Sequence, residues 1–326
     1  MKTIAIVCGG YSKEEIISQR SAQQIAEVIN DVYNIYRVVI ARNRWYAVAG
    51  VQEIDIDRND FSFNLNGKKV VFDAVFMAIH GTPGEDGMLQ SYFDMVGLPY
   101  TSCNAFVSAL TFNKFACKVF LKEYGIPTAD AIILRKGQTI TNEELEKRFG
   151  FPMFIKPNNG GSSFGVTKVK QSADIQPAIE RAFDGDTEII IEPFIDGGEL
   201  TCGVFKSSKD NIVFPPTEIV SKKEFFDYEA KYTPGLSEEI TPARLSDEQM
   251  AKVQNRTSLI YDLLGCNGVV RIDYLMRNGE FYFMEINTVP GMSKQSIIPK
   301  QTEVYGLPLK ELYIKLIDDA IERAGK

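Results

Sequence analysis

Two runs in the last quarter of the chain constrain its fold most. Val269 to Met276 and Glu280 to Asn287 each carry polar residues at alternate positions among strand formers, and Asn278-Gly279 lies between them. Period-two patterning marks a strand with two different faces, and Asn-Gly is a strong hairpin signal. Arg271 and Asp273 are two apart on the first run, as are Phe283, Glu285 and Asn287 on the second. Each set therefore falls on one face of its strand. Turn length decides whether the two faces agree. A two-residue turn at Asn278-Gly279 pairs Asp273 with Met284 and sends Glu285 to the opposite side. A three-residue loop, Arg277-Asn278-Gly279, pairs Asp273 with Phe283 and unites Arg271, Asp273, Glu285 and Asn287. The three-residue loop, the next commonest hairpin, is the expectation, and it sets three oxygen ligands, poor strand formers among Val, Ile, Tyr and Phe, beside a guanidinium. Such a hard-oxygen set suits magnesium completed by phosphate oxygens. A solvated face with a salt bridge is the alternative.

The rest of the 326 residues implies two or three domains. Ile4 to Cys8 reads as a buried strand running into Gly9-Gly10, with Ser12 and Glu15 in capping-box spacing and a helix to about Asn30. Strands follow at Val38 to Ala41, Asp73 to Ile79 and Pro99-Tyr100, which predicts a doubly wound α/β unit over residues 1–102. A central unit, 103–191, opens with one helix from Ala105 to Tyr124. It continues with strands at Phe151 to Lys156, Val166 to Val169 and Glu188 to Glu192. In the last unit, 192–326, Asn211 to Val220 is extended, and 221–236 is a polar loop with four interleaved aromatics. Ser246 and Gln249 begin a helix that stops at Gly265. The final helix carries Leu309, Leu312, Tyr313, Leu316, Ile317, Ala320 and Ile321 on one face.

Several classes are disfavoured. The 43 acidic and 36 basic residues give a net charge of −7 without a basic, aromatic-laced run, so nucleic acid is not an expected partner. The five cysteines are scattered with no C-x-x-C pair, which argues against a disulfide framework or thiolate zinc site. The apolar start is too short for a secretion signal, and no stretch is long enough to span a bilayer. The cytoplasm is the expected compartment.

Gly9-Gly10 lacks G-x-G-x-x-G spacing, and Ala41 is followed by Arg42-Asn43 rather than an acid, so a nicotinamide site is not supported. Glu14 stands in the first helical turn beyond the first strand, where α/β sheets place ligands, although acids favour that turn anyway. No Walker loop occurs. Instead Pro157-Asn-Asn-Gly-Gly-Ser-Ser-Phe-Gly165 joins two strands, a hairpin whose N–H groups, with Ser162, Ser163 and Lys156, suit a triphosphate. A mobile hairpin without a ligand is the plainer reading. His80, the single histidine, ends a strand beside Gly81 and Gly84. Beyond Asn287, Pro290-Gly291 makes a turn, and the Gly291 N–H with the Ser296 hydroxyl offers donors for a carboxylate.

These motifs resemble the D-alanine–D-alanine ligase family of the ATP-grasp superfamily along nearly the full chain. They are Gly9-Gly-Tyr-Ser-Lys-Glu14, His80-Gly-Thr-Pro-Gly-Glu-Asp-Gly87, Gly97-Leu-Pro-Tyr-Thr101, Asn113-Lys114 and Ile155-Lys-Pro-Asn-Asn-Gly-Gly-Ser-Ser163. Glu192, Gly198-Glu-Leu-Thr201, Phe226-Asp-Tyr-Glu-Ala-Lys-Tyr232, Arg271-Ile-Asp273 and Glu285-Ile-Asn-Thr-Val-Pro-Gly-Met292 follow. The resemblance implies an ATP-grasp fold behind an N-terminal α/β domain. It also implies a dimer, and ATP-driven ligation of two D-alanines through an acyl phosphate for peptidoglycan precursors. It assigns catalytic roles to Glu14, Ser162, Tyr232, Arg271 and Gly291, and substrate contacts to His80, Ser296 and Ile297. ATP contacts fall to Lys114, Lys156, Ser163, Glu192, Phe194, Ile195, Glu199 and Lys231. Asp273, Glu285 and Asn287 would hold two magnesium ions, with manganese as a substitute. Tyr232 favours an amine over D-lactate as second substrate. One departure stands out: Pro193 follows Glu192 where the family often has lysine.

Overall fold

Three large sheets and one two-stranded hairpin carry the described residues. The computed structural model describes residues 1–12, 14–161, 165–221 and 237–325. The first sheet runs β4-β3-β2-β1-β7, from β1 (Thr3–Gly9), β2 (Asn34–Ile40), β3 (Trp45–Ala49), β4 (Gln52–Asp55) and β7 (Ala74–Met77). Its parallel core is β2-β1-β7, while β3 and β4 add antiparallel strands not expected from sequence. A small hairpin, β5 (Phe63–Leu65) and β6 (Lys68–Val70), precedes β7. Tyr100 forms only an isolated parallel bridge with Val75 rather than a fourth strand.

Alternation along β1 buries both faces of this sheet. Ile4, Ile6 and Cys8 pack with α1 (Glu15–Ile29) and the C-terminal helix, whereas Ala5 and Val7 pack with Phe61 and with Leu89 and Phe93 of α2 (Met88–Met95). The capping box expected at Ser12 does not form. Glu14 is the N-cap, and the Ser12 hydroxyl instead donates to His80 O at 3.0 Å, tying the helix start to the end of the third expected strand.

The single helix expected from Ala105 to Tyr124 is broken into α3 (Ala105–Phe112) and α4 (Lys114–Glu123). Asn113 adopts extended backbone and its side chain caps α4 by accepting from Ala116 N, a conformation asparagine favours over continuing a helix. The second sheet, β10-β9-β11-β8, comprises β8 (Ile132–Arg135), β9 (Met153–Pro157), β10 (Thr167–Val169) and β11 (Glu188–Pro193). Met153, Ile155, Ile189 and Ile191 point to α5 (Asn142–Phe149) and α6 (Ile175–Phe183), leaving Phe154, Lys156 and Glu192 for the other face.

The third sheet runs β15-β14-β12-β16-β17, with β13 on β12. Its strands are β12 (Gly198–Lys206), β13 (Asn211–Val213), β14 (Thr217–Ser221), β15 (Ser237–Ile240), β16 (Val269–Arg277) and β17 (Glu280–Asn287). One face buries Leu200, Cys202, Val204, Val270, Ile272 and Tyr274 against α7 (Asp247–Leu264), whose Ser246–Gln249 capping box forms as expected. Helices α8 (Ile297–Tyr305) and α9 (Leu309–Arg323) end the chain, and α9 returns its apolar face to the first sheet.

The β16–β17 hairpin corrects the turn expected from sequence. Asn278 and Gly279 form a two-residue turn, both with positive φ (53° and 73°), and Arg277 pairs with Glu280. Register then shifts between Asp273 and Tyr274: Tyr274 pairs with Phe283 but Asp273 with Glu285. A bulge at Met284 thus does what a longer loop would have done, and puts Arg271, Asp273, Glu285 and Asn287 on one face. Phe283 is separated from them and packs in the core with Tyr274. Gly279→Ala forces an alanine into left-handed backbone and should cost roughly 1 kcal/mol of stability; urea unfolding of the variant with an unchanged m-value measures it.

Candidate active site

The polar faces of the second and third sheets enclose a cleft of about 1050 Å³, with Glu14 and Gly81 at one end. On the third sheet Asp273 is the hub. Its Oδ1 accepts from the Thr201 hydroxyl and from Arg271 Nε at 3.2 Å, and its Oδ2 accepts from Asn287 Nδ2 at 3.1 Å. Cross-strand register places Thr201 opposite Asp273. Burial would pull the Arg271 guanidinium down, but Asp273 and Glu285 outweigh it and raise its pKa. Lys114, at the first position of α4, reaches Glu285 at 3.3 Å and also donates to Gly160 O in the 157–165 hairpin.

Across the cleft, Glu192 lies between two lysines. Lys118 closes on its Oε2 and Lys156 on its Oε1, with all three side chains almost wholly out of solvent. Burial pushes the Glu192 carboxyl up, yet the two ammonium groups prevail and hold it at about 2. Phe154 and Phe194 stand beside this cluster with ring centroids 6.0 Å apart, and Ile195, Glu199 and Leu275 complete the wall. Lys118, one turn beyond Lys114, carries no motif of its own; its i+4 spacing on the same helix was the available signal.

The hairpin between β9 and β10 is anchored by its two asparagines. Asn158 Oδ1 accepts from Phe115 N at 2.9 Å, its Nδ2 donates to Glu188 at 3.0 Å, and Asn159 N and Nδ2 donate to Asp186. Gly161 approaches Glu14 so closely that an added Cβ would lie 3.2 Å from Oε2. Ser162 and Ser163 lie outside the described residues, as do Lys231 and Tyr232 of the 221–236 loop.

His80 is buried, and both ring nitrogens are engaged within the protein. Nδ1 lies 2.8 Å from Val289 O and Nε2 3.3 Å from Ser21 Oγ, which itself accepts from Met292 N. Burial lowers its pKa against the pull of Glu14, so the neutral ring donates from Nδ1 and accepts at Nε2. Through these bonds it holds the 289–292 loop in place. Glu85 does the same from beneath, accepting from Gly81 N at 2.8 Å and Val289 N at 3.1 Å. That loop presents Gly291 to Ser296: a Cβ on Gly291 would sit 2.7 Å from Ser296 Oγ. Ser296 is the N-cap of α8 with no side-chain cap bond, and Ile297 begins the helix.

Two family models cover most of the chain: D-ala D-ala ligase N-terminus matches residues 3–103, and D-ala D-ala ligase C-terminus matches 120–318. The chain belongs to the D-alanine–D-alanine ligase family. It is 53% identical over 321 residues to the D-alanine–D-alanine ligase of Phocaeicola vulgatus, covering 98% of this chain and 99% of that one. Among solved structures, D-alanyl-alanine synthetase A from Vibrio cholerae superposes with TM-score 0.89 at 27% identity over 98% of both chains. The D-alanine–D-alanine ligase of Bacillus anthracis complexed with ATP gives TM-score 0.79 at 27% identity over 99% of this chain and 98% of that one. The fold is therefore the ATP-grasp fold of these ligases.

In this ligase-family chain Glu14, Lys114, Lys156, Glu192, Phe194, Ile195, Glu199, Asp273 and Glu285 line one cleft, whereas His80, Arg271, Asn287, Gly291, Ser296 and Ile297 are not among its lining residues. The residues not singled out from sequence are Lys118, Glu85, Thr201 and Ser21. Glu85 and Thr201 lay inside quoted motifs, but only the fold reveals their partners. Burial pushes the Glu85 carboxyl up to about 7, opposed by its two N–H donors. Stability linked to its protonation is therefore fully present below the ordinary glutamate value and lost as pH rises through about 7. Glu85→Gln offers one acceptor oxygen to two buried N–H groups and should cost about 1–3 kcal/mol. The loss should appear as a lower unfolding midpoint, with the decline in stability between pH 5 and 7 flattened relative to the parent.

Proposed function

We propose that the chain joins two D-alanine molecules with ATP, through D-alanyl phosphate, giving D-alanyl-D-alanine, ADP and phosphate for peptidoglycan precursors. The observation that carries the reading is the bulged hairpin. It sets Asp273, Glu285 and Asn287 beside Arg271 and Lys114, at the end of the cleft that Glu14 closes.

A carboxylate is a poor electrophile, and moving a phosphoryl group onto it supplies a leaving group. The first D-alanine oxygen attacks the γ-phosphorus and ADP leaves; the amine of the second then attacks the acyl carbon and phosphate leaves. Glu14 binds the first ammonium. Arg271 and the Gly291 N–H face the oxygen on which charge develops, a placement that stabilises the tetrahedral state. Ser296, with the N-terminus of α8, holds the second carboxylate. Lys114, Lys156 and Lys231 neutralise the triphosphate beneath the 157–165 hairpin, where Ser162 and Ser163 add donors. Glu192, Phe194, Ile195 and Glu199 take the nucleoside.

Asp273, Glu285 and Asn287 fit magnesium: they are hard oxygen donors on one face, and amide orientation leaves Asn287 free to present Oδ1. Two carboxylates and one amide leave coordination positions that phosphate oxygens would complete. Two bound Mg²⁺, or Mn²⁺ in their place, would supply charge neutralisation at the transferring phosphoryl group. Hydrogen bonds formed between Glu14, Ser162 and Tyr232 in the working enzyme would close the site to water, and Tyr232 would select an amine as second nucleophile. The chain would work as a cytoplasmic homodimer, divided near residues 102 and 191. No helix among the described residues is long and apolar enough to cross a membrane.

ADP release should require D-alanine and divalent metal, with the dipeptide found by mass; L-alanine should be silent, and D-lactate or D-serine should not replace the second D-alanine. Release that depends on one of those instead would keep the chemistry and reject the substrate. Asp273→Ala would strip partly buried Arg271 of its hydrogen-bonded carboxylate, so Asp273→Asn is the cleaner probe. It should lower kcat more than about a hundredfold without loss of fold by circular dichroism. Gly291→Ala must displace Ser296, and should raise the KM of the second D-alanine more than that of ATP in steady-state kinetics.

A further inference from the structure

Lys118 has no part in the chemistry above, yet it is the one lysine among the described residues that is buried, at 4% exposure. A buried ammonium is costly unless paired. Its partner is Glu192, itself 7% exposed, whose other oxygen meets Lys156. The three lie in the wall of the cleft with Phe154, Phe194 and Leu275. Apolar side chains beside a fixed polar group suit the binding of a purine base. The next residue, Pro193, has neither an N–H nor a charge to share in fixing that end.

A carboxylate has about four lone-pair positions, and two ammonium groups leave the remainder for a ligand donor. Ionised, Glu192 only accepts; protonated, it also donates. Its ionisation therefore decides which purine edge is admitted. A 6-amino group brings an N–H to the carboxylate, whereas a 6-oxo group opposes lone pair to lone pair. Lys156 stands at the root of the triphosphate hairpin and is drawn toward phosphate in the proposed reaction. Lys118 is buried within α4 with its ammonium on Glu192, so it is the cation that stays.

We infer that Lys118 is a positioning residue for base selection: it holds Glu192 as an acceptor-only carboxylate, so that the site takes 6-amino and rejects 6-oxo purine nucleotides. Burial lowers the Lys118 pKa while Glu192 raises it, as expected of a buried pair that persists only through mutual contact. The inference rests on the ATP-using reading, but its test needs no turnover.

Calorimetric binding of ATP and of inosine triphosphate, each with magnesium, would be compared for the parent chain, Lys118→Met and Glu192→Gln. The parent should prefer ATP by at least about a hundredfold, since a site built for an N–H rejects analogues lacking it. Lys118→Met should lower that preference about tenfold, mainly through weaker ATP binding. Glu192→Gln, which keeps both lysines but can donate, should narrow the preference further by improving inosine triphosphate binding. A folded Lys118→Met protein with the parent's ATP-to-ITP ratio overturns the inference while leaving the ligase reading intact. Should Lys118→Met fail to fold, an unchanged ratio in Glu192→Gln overturns it equally. A parent chain that binds neither nucleotide contradicts the ligase reading itself, and the inference with it.

Discussion

Asp273 is held from three directions at once, by Thr201, Arg271 and Asn287, and the candidate site is arranged around that carboxylate. A buried acid needs donors, and here each comes from a different strand or strand position. Thr201 brings β12, Asn287 brings β17, and Arg271 comes from the same strand two residues away. The bulge at Met284 is what makes this convergence possible, because unbroken pairing from the Asn278-Gly279 turn would turn Glu285 and Asn287 away. Thr201 is fixed in turn: its carbonyl accepts from Gln301 of α8, which also accepts from Gly203 N and donates to Thr217. The helix capped by Ser296 is thus joined through one buried amide to β12, the strand whose Thr201 holds Asp273.

The N-terminal sheet is coupled to the same loop by polar ties through a mostly apolar interface. His80 and Glu85 leave the carboxyl end of the parallel core and grip Val289 at its carbonyl and its N–H, while Ser21 of α1 takes Met292. These are local bonds with long sequence separation, so the loop between β17 and α8 is positioned by residues over two hundred positions away. Around them, α9 returns to the first sheet with Leu312, Tyr313, Leu316 and Ile317 and shares one apolar cluster with α1 and β1. The first and last portions of the chain therefore fold around the same core, and Glu14 is delivered to the cleft as a consequence.

Much of this was legible in sequence where the pattern is local. The Ser246–Gln249 cap, the stop at Gly265, the α9 stripe and the strands flanking 157–165 follow from spacing alone. The β4–β6 strands were missed because short edge strands carry polar residues and weak alternation, as in Gln52–Asp55, whereas the apolar β3, interior between β2 and β4, was missed without that reason. The break at Asn113 was missed because apolar spacing continues across it, and only the cap geometry ends the helix. The hairpin is the most instructive case: the right residues share a face, but through a two-residue turn and a bulge rather than a three-residue loop. A bulge has no sequence signature comparable to Asn-Gly, so the outcome was readable while its cause was not. Lys118 and Glu85 were hidden for another reason. Their function is in pairing with Glu192 and with two backbone N–H groups, and such partners exist only once the sheets have assembled.

The central chemical claim is that the first carboxylate becomes an acyl phosphate. D-alanine labelled with ¹⁸O in both carboxylate oxygens would be incubated with the protein, ATP and magnesium in unlabelled water, and the released phosphate examined by ³¹P spectroscopy. If the carboxylate attacks the γ-phosphorus, each phosphate should carry one ¹⁸O from D-alanine, and the new peptide carbonyl should retain the other. Phosphate without label, formed while the dipeptide accumulates, would contradict the account.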